Sequence, residues 1–176
     1  MLDCLLTLIR SAIPAQVIES VYALGNIAQV GQALAQSIVE HQIFDELVRL
    51  IKSSDLQVRM EAVFCLHNIL TNLDSNSLLS LVRDTMTHPE LLKDYFKSLR
   101  LTSRKNIVLK IFDTVENLCK VDIELQLEGE ESLKYLMETT TDLYDSLEEL
   151  SQHGDVIITE KAEELIDTYL KEEDDA

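Results

Sequence analysis

Apolar residues in this chain recur at intervals of three and four, the spacing of helices that bury one side. Leu2, Leu5, Leu6 and Ile9 outline a short helix, which Ser11-Ala12-Ile13-Pro14 breaks. Pro14 suits the first turn of a helix, where its missing N–H costs nothing, so a long helix is expected from Pro14 to Gln29. A short helix from Gln32 to Glu40 and a middle one from Ile43 to Lys52 follow, the latter marked by Ile43, Phe44, Leu47, Leu50 and Ile51. Ser53-Ser54-Asp55 interrupts the pattern and supplies an N-cap for a long helix from Leu56 to Asn72. The same order of elements is expected over Leu78–Thr85, Pro89–Leu101 and Arg104–Lys120, and again over Ser132–Met137, Asp142–Ser151 and Thr159–Leu170.

Two of the long helices carry one motif. Glu19-Ser-Val21-Tyr22-Ala-Leu24-Gly25-Asn26-Ile27 returns 42 residues later as Glu61-Ala-Val63-Phe64-Cys65-Leu66-His67-Asn68-Ile69, with Glu, Val, Leu, Asn and Ile identical and the fourth position aromatic in both. A period in the forties is the signature of an α-solenoid, in which each repeat buries its apolar face on the next. On a helical wheel Val, Leu and Ile share one side, and Glu, the aromatic and Asn lie roughly opposite. The first stripe builds a core. The second is not needed for one, so it is the candidate functional surface. The expected architecture is all-α, a right-handed solenoid of about three and a half repeats: a partial repeat over 1–30, then 31–73, 74–120 and 121–170, with an acidic tail at 171–176.

Composition agrees with that class. Four Gly, two Pro and no Trp in 176 residues leave little turn chemistry for a β-sandwich or barrel. Three widely spaced cysteines fit reduced thiols, with Cys65 and Cys119 as small buried hydrophobes. No stretch approaches the roughly 20 apolar residues that span a bilayer, and the first residues lack the basic region and cleavage site of a signal peptide. A soluble intracellular protein with no membrane partner is expected.

Net charge is −17, and it is unevenly placed. Residues 1–120 hold 13 acidic against 12 basic side chains, whereas 121–176 hold 19 against 3. The acidic end would repel nucleic acid, and a basic protein or peptide is its natural complement; a merely solvated helical surface is the other reading of the same acidity. Catalytic motifs are missing: there is no glycine-rich phosphate loop, no nucleophile elbow and no metal-ligand spacing. Cys65 and His67 fall on different helix faces, and His41, His88 and His153 sit near helix ends, where exposure is expected. No enzyme, metal or cofactor is expected.

The segment from Ile38 to Ile69 resembles the armadillo repeat almost from end to end, with Gln42 where that family usually turns on Gly. Within it the chain resembles the C-terminal part of the importin-α family of nuclear-import adaptors. The aromatic-x-x-x-Asn recurrence matches that family's Trp-x-x-x-Asn array, with Tyr22 and Phe64 in place of Trp. Asp113-Thr-Val-Glu-Asn117 resembles its late repeat, where an Asp takes the aromatic position, and Lys161–Leu170 with the acidic run resembles its last helix and tail. The resemblance implies a protein of cytoplasm and nucleus whose minor nuclear-localisation-signal site maps to Glu19, Tyr22, Asn26, Glu61, Phe64 and Asn68. It also implies an export receptor bound at the acidic last repeat. No basic segment of the kind that recruits importin-β precedes these repeats, and the repeats of the major signal site are absent. The first helix thus lacks an upstream neighbour over Leu2, Leu5, Leu6 and Ile9, a surface through which a dimer could form.

The residue chemistry fits such a groove. Stacked helices lie about 8–10 Å apart and an extended peptide advances about 3.3 Å per residue, so Asn26, Asn68 and Asn117 could bracket a ligand backbone at regular intervals. Tyr22 and Phe64 would wall the stems of Lys or Arg, and Glu19 and Glu61 would meet their charged heads. This expectation places the three Asn on one face with their amides uncommitted. Two other uses of the stripe stay open: the aromatics can pack between repeats, and helical Asn can cap local backbone. The wider alternatives are an armadillo scaffold reading another ligand, or a purely structural solenoid segment.

Overall fold

The computed structural model describes residues 1–84, 86–88, 90–102 and 104–170. The acidic tail at 171–176, and Thr85 and Pro89 at two expected helix ends, lie outside the described residues. The chain forms two compact units, Met1–Tyr95 and Phe96–Ala176.

The first unit contains α1 (Leu2–Ile9), α2 (Pro14–Gln29), α3 (Gln32–Val39), α4 (Ile43–Leu50), α5 (Leu56–Asn72), α6 (Ser75–Val82) and all but the last residue of α7 (Leu91–Phe96). Pro14 occupies the first turn of α2. Asp55 caps α5, its Oδ1 accepting the amides of Gln57 and Val58 at 2.9 and 3.0 Å. The helix α6 begins three residues earlier than the apolar pattern suggests, because Asp74 accepts the amides of Asn76 and Ser77 and draws the helix back to its cap.

Where a repeat of this kind would turn on Gly, His41 does the work. Its Nδ1 accepts the Ile43 amide at 3.1 Å and its Nε2 lies 3.1 Å from Asp3 Oδ1, so one ring caps α4 and ties it to α1. Gln42 keeps an ordinary helical φ of −56°. His88 departs from the exposure expected of it. Its ring stands edge-on to Phe44 with centroids 5.1 Å apart, and only 11% of its side chain is exposed.

The core of this unit lies between α2 and α5, its most extensively packed pair. Val21, Leu24 and Ala28 from α2 and Val63, Leu66 and Ile69 from α5 are fully buried, each branched side chain contributing about 1.5–3 kcal/mol relative to exposure. On α1, Leu6 and Ile9 are covered by this unit, contrary to the expectation of four uncovered residues, because α1 packs on both α2 and α4. Leu2 and Leu5 stay half-buried. Arg10 reaches Glu46 at 2.7 Å and Arg49 meets the other carboxylate oxygen. These bonds, Arg10 foremost, hold the Glu46 carboxyl below its usual range.

The second unit opens at Phe96 and contains α8 (Ser98–Leu101), α9 (Lys105–Leu125), a 3₁₀ turn (Gly129–Glu131), α10 (Leu133–Thr140), α11 (Leu143–Leu150) and α12 (Val156–Leu165), which widens into a π turn over Ile166–Leu170. The single helix expected up to Leu101 is two, divided by a turn at Lys97. The start of α12 precedes the expected Thr159, because Asp155 caps it through the amides of Ile157 and Ile158. Lys105 on α9 grips both oxygens of that same Asp155, at 2.8 and 2.9 Å.

The helix α9 outruns its expected end at Lys120 by five residues and stops at Gln126, whose φ is +54°. The Leu127 amide then bonds back to the Asp122 carbonyl at 2.9 Å, closing the helix as a Schellman-type end. A residue with a Cβ is strained in this left-handed conformation by about 1–2 kcal/mol. Gln126→Gly should therefore raise the stability of the second unit by about 1 kcal/mol, read as an increase in melting temperature; an unchanged or lower value would contradict the assignment.

Candidate functional site

In α2 the spacing of Glu19, Tyr22 and Asn26 sets them on one helix face, and all three are exposed. Tyr22 has 53% of its surface open. Glu19 makes no ion pair and the Asn26 amide makes no hydrogen bond among the described residues. Glu19 is also the sole charged residue between Pro14 and Gln29. The expected stripe exists here as drawn, carrying a carboxylate, a ring and an amide on successive turns.

The α5 copy is built differently. Glu61 and Phe64 are half-buried and both engaged within the fold. The Phe64 ring lies 6.4 Å from that of His67 at a 51° tilt. Asn68 is only 2% exposed, and its Nδ2 donates to the Gly25 carbonyl of α2 at 3.0 Å. That overturns the expectation of an uncommitted Asn68: its amide staples two helices. The cause is local. A Cβ placed on Gly25 would stand 3.4 Å from Cys65 Cα and 3.6 Å from Asn68 Nδ2, so only Gly or Ala lets α5 come this close. Cys65 is buried at this crossing, and its thiol is pushed up in pKa by desolvation, with the nearby Glu61 carboxylate adding to it. It stays protonated and packs as a hydrophobe.

Asn117 lies on α9 in the second unit, half-buried and engaged, with Asp113 exposed one turn before it. Here α12 packs on α9, and Glu116 accepts from Lys120 at 2.5 Å and from Lys161 at 2.9 Å. Those two ammonium groups, Lys120 foremost, keep the Glu116 carboxyl below its usual range. Sequence reasoning missed Asp122. It is buried at the end of α9, and its two oxygens accept the amides of Leu133 and Lys134 at 2.6 and 2.8 Å, capping α10. Nothing local signals such a contact, since its partners lie eleven and twelve residues on. Beside it opens a cleft of about 730 Å³ whose lining includes Ile123, Leu127, Glu128, Asp167 and Tyr169. Cys119 borders it, its thiol pushed up to about 12 by burial.

Among the described residues no group of three or more His, Cys, Asp or Glu could hold a metal ion. No helix among them is long and apolar enough to cross a membrane.

Neither the protein-family models nor the curated proteins give a match to this chain. Solved structures do. One match is a computationally designed armadillo repeat protein made for modular peptide recognition, at 18% identity and a TM-score of 0.72. The alignment covers 94% of this chain and 63% of that one, so the present chain spans less than two thirds of its length. A second is a designed armadillo repeat protein in complex with the peptide (KR)4, 17% identical over 93% of this chain and 79% of the other; its TM-score of 0.47 is too loose to bear on function. The fold is an armadillo-type α-solenoid: the repeat period implied the solenoid, and the resemblance of Ile38–Ile69 implied its armadillo type.

The staple makes a direct prediction. Asn68→Ala should cost about 1–2 kcal/mol of folding stability by removing a buried hydrogen bond, while Asn26→Ala on the exposed face should leave the melting temperature within experimental scatter. Gly25→Leu should be far more damaging than Gly25→Ala. Thermal melts of the four variants check this, and equal tolerance of Asn68→Ala and Asn26→Ala would refute it.

Proposed function

We propose that the chain is a peptide-binding armadillo module of the importin-α type, which takes Lys/Arg-rich segments of protein cargo on the face of α2 and works in nuclear protein import between cytoplasm and nucleus. The observation that carries this reading is the exposed Glu19–Tyr22–Asn26 stripe, in which a carboxylate, a half-open aromatic ring and an unbonded amide face solvent together. An exposed phenol ring in mid-helix does nothing for the core, and its face suits the stem and head of a basic side chain. A fold like that of a protein designed for modular peptide recognition supports the same reading. The acidic second unit suits a basic surface of a further partner, for which an export receptor is our proposal. The half-buried Leu2 and Leu5 of α1 offer an edge that a second copy could cover.

The test is a titration with a peptide of alternating Lys and Arg at low and high salt. Parent protein should bind, and binding should weaken as salt rises. Glu19→Gln should lower affinity and flatten the salt dependence, because one charge contact is lost. Tyr22→Ala should weaken binding by about 1 kcal/mol without changing the melting temperature, since the ring is exposed. Binding of an acidic peptide in preference to the basic one would replace this reading with that of another armadillo scaffold. Indifference of binding to both substitutions would leave the stripe without a role in it.

A further inference from the structure

The ends of α1, α4 and α8 each carry a basic side chain that pairs with acid on a later helix, and the ratio of charges differs from tie to tie. Lys52 meets Asp94 of α7 at 2.6 Å, one base for one acid. In the second unit, Arg100 stands between two acids, Asp142 and Glu149, at 3.6 and 3.5 Å. Between α1 and α4 the ratio is reversed: the half-buried Glu46 serves both Arg10 and Arg49, and both of those side chains are exposed. These two arginines line a groove of about 300 Å³ between the turn that joins α1 to α2 and the turn that joins α4 to α5. We infer that this groove docks a partner segment bearing one carboxylate beside an aliphatic side chain, with Arg10 and Arg49 holding the carboxylate.

Donors are left over at these groups. Arg10 gives Glu46 its Nε–H, and Arg49 gives it Nε–H and one terminal N–H. Both terminal nitrogens of Arg10 therefore lack an acceptor among the described residues, and a guanidinium can take a carboxylate end-on through such a pair. Ser53 Oγ accepts the Asp55 amide at 3.2 Å and keeps its O–H to donate. Ser11, its counterpart on the first turn, spends its own O–H on Gln16 at 2.6 Å. Exposed Ala12 and Pro14 form the apolar side of the groove, and exposed Leu56 follows its Asp55. An aliphatic side chain laid there takes apolar surface of both partners out of water. Charge sets the ligand at a single carboxylate. Arg59 bonds the Ser53 carbonyl at 2.9 Å, so three guanidiniums meet two carboxylates, Glu46 and Asp55, and one positive charge is left over. Asp55 spends Oδ1 on the amides of Gln57 and Val58 but still presents its charge to the groove, which opposes a run of acids. The hydrogen bonds within both turns reduce what is lost in ordering them on binding. Glu19, Tyr22 and Asn26 do not line this groove, so it is separate from the stripe on α2.

Three acetylated and amidated peptides test the inference on the full chain at physiological ionic strength: Gly-Ser-Leu-Glu-Ser-Gly, the same with Gln for Glu, and Gly-Glu-Glu-Glu-Glu-Gly. Binding is read by NMR from the arginine side-chain N–H signals and the backbone amides of Ser11, Ala12, Ser53 and Ser54. The Leu-Glu peptide should shift these signals saturably, and the Leu-Gln peptide should bind about tenfold more weakly. Arg10→Gln should narrow that gap to about twofold by removing the carboxylate's partner, and Arg49→Gln should act in the same direction. Melts of both variants confirm that they are folded. Glu19→Gln should leave binding of the Leu-Glu peptide unchanged, which separates this groove from the face of α2. Equal binding of the Leu-Glu and Leu-Gln peptides, or a gap that survives in both arginine variants, would overturn the inference. So would a four-Glu peptide that binds about tenfold more tightly than the Leu-Glu peptide, since that is the mark of a general anion patch. Absence of any shift at these signals with the Leu-Glu peptide would also overturn it, and would leave the basic-peptide reading of α2 as it stands, because that reading depends on other residues.

Discussion

The contact on which the first unit turns is the meeting of Gly25 with Cys65. With room for no more than a methyl at Gly25, α5 lies near enough for Asn68 to reach the Gly25 carbonyl, and one buried hydrogen bond fixes the two long helices against each other. A helix carbonyl has a second lone pair, so it can accept this bond without giving up its own ladder. The apolar stripes of α2 and α5 are then pressed together, and Val21, Leu24, Val63, Leu66 and Ile69 leave water completely. The hydrophobic term supplies most of the free energy, but it is non-directional. The staple and the glycine set which turn of α5 faces which turn of α2, and hence which face of α2 is left to solvent.

Periodicity made the helices legible, and residue chemistry made their starts legible where the cap was recognised. Pro14 and Asp55 were enough to place α2 and α5. The starts of α6 and α12 were missed because Asp74 and Asp155 cap them: in α6 the cap draws helix back over the polar Ser75, Asn76 and Ser77, and in α12 over Val156, Ile157 and Ile158, an unbroken apolar run that shows no helical period. The turn at Lys97 and the left-handed Gln126 carried no sequence signal, since neither position has the Gly or Pro that usually marks such a place. Within the candidate site, the shared face of the α2 stripe was legible because residues at this spacing fall on one side of a helix. The fate of Asn68 was not. It depends on how closely a helix 43 residues away approaches, a distance that no local pattern encodes.

Acidity in the second unit is partly structural. Asp122 caps α10 across a loop, Asp155 caps α12 while holding Lys105, and Glu116 joins α9 to α12 through Lys161. These carboxylates are committed to the fold. Asp113, Glu160 and Glu163 are instead exposed and without an ion pair among the described residues. A charge count alone overstates what this unit can offer a basic partner, because the carboxylates that build the helices are not available to bind.

The two nine-residue copies show why identity of residue does not fix identity of role. Both have Glu, an aromatic and Asn at the same three places, yet one Asn faces solvent and the other holds a neighbouring helix. The deciding difference is what each copy meets: α5 packs on α2, where the Gly25 carbonyl lies within reach of Asn68. Gly25 precedes Asn26 and lets the following helix close in on its carbonyl; His67, in the equivalent place before Asn68, is a buried ring that fills the same position with bulk. The glycine therefore acts on the next repeat rather than on its own: it admits Asn68 to the core. A duplicated motif can in this way take different roles in its two copies, because the neighbour that each copy meets, and not the residues alone, sets what its Asn does.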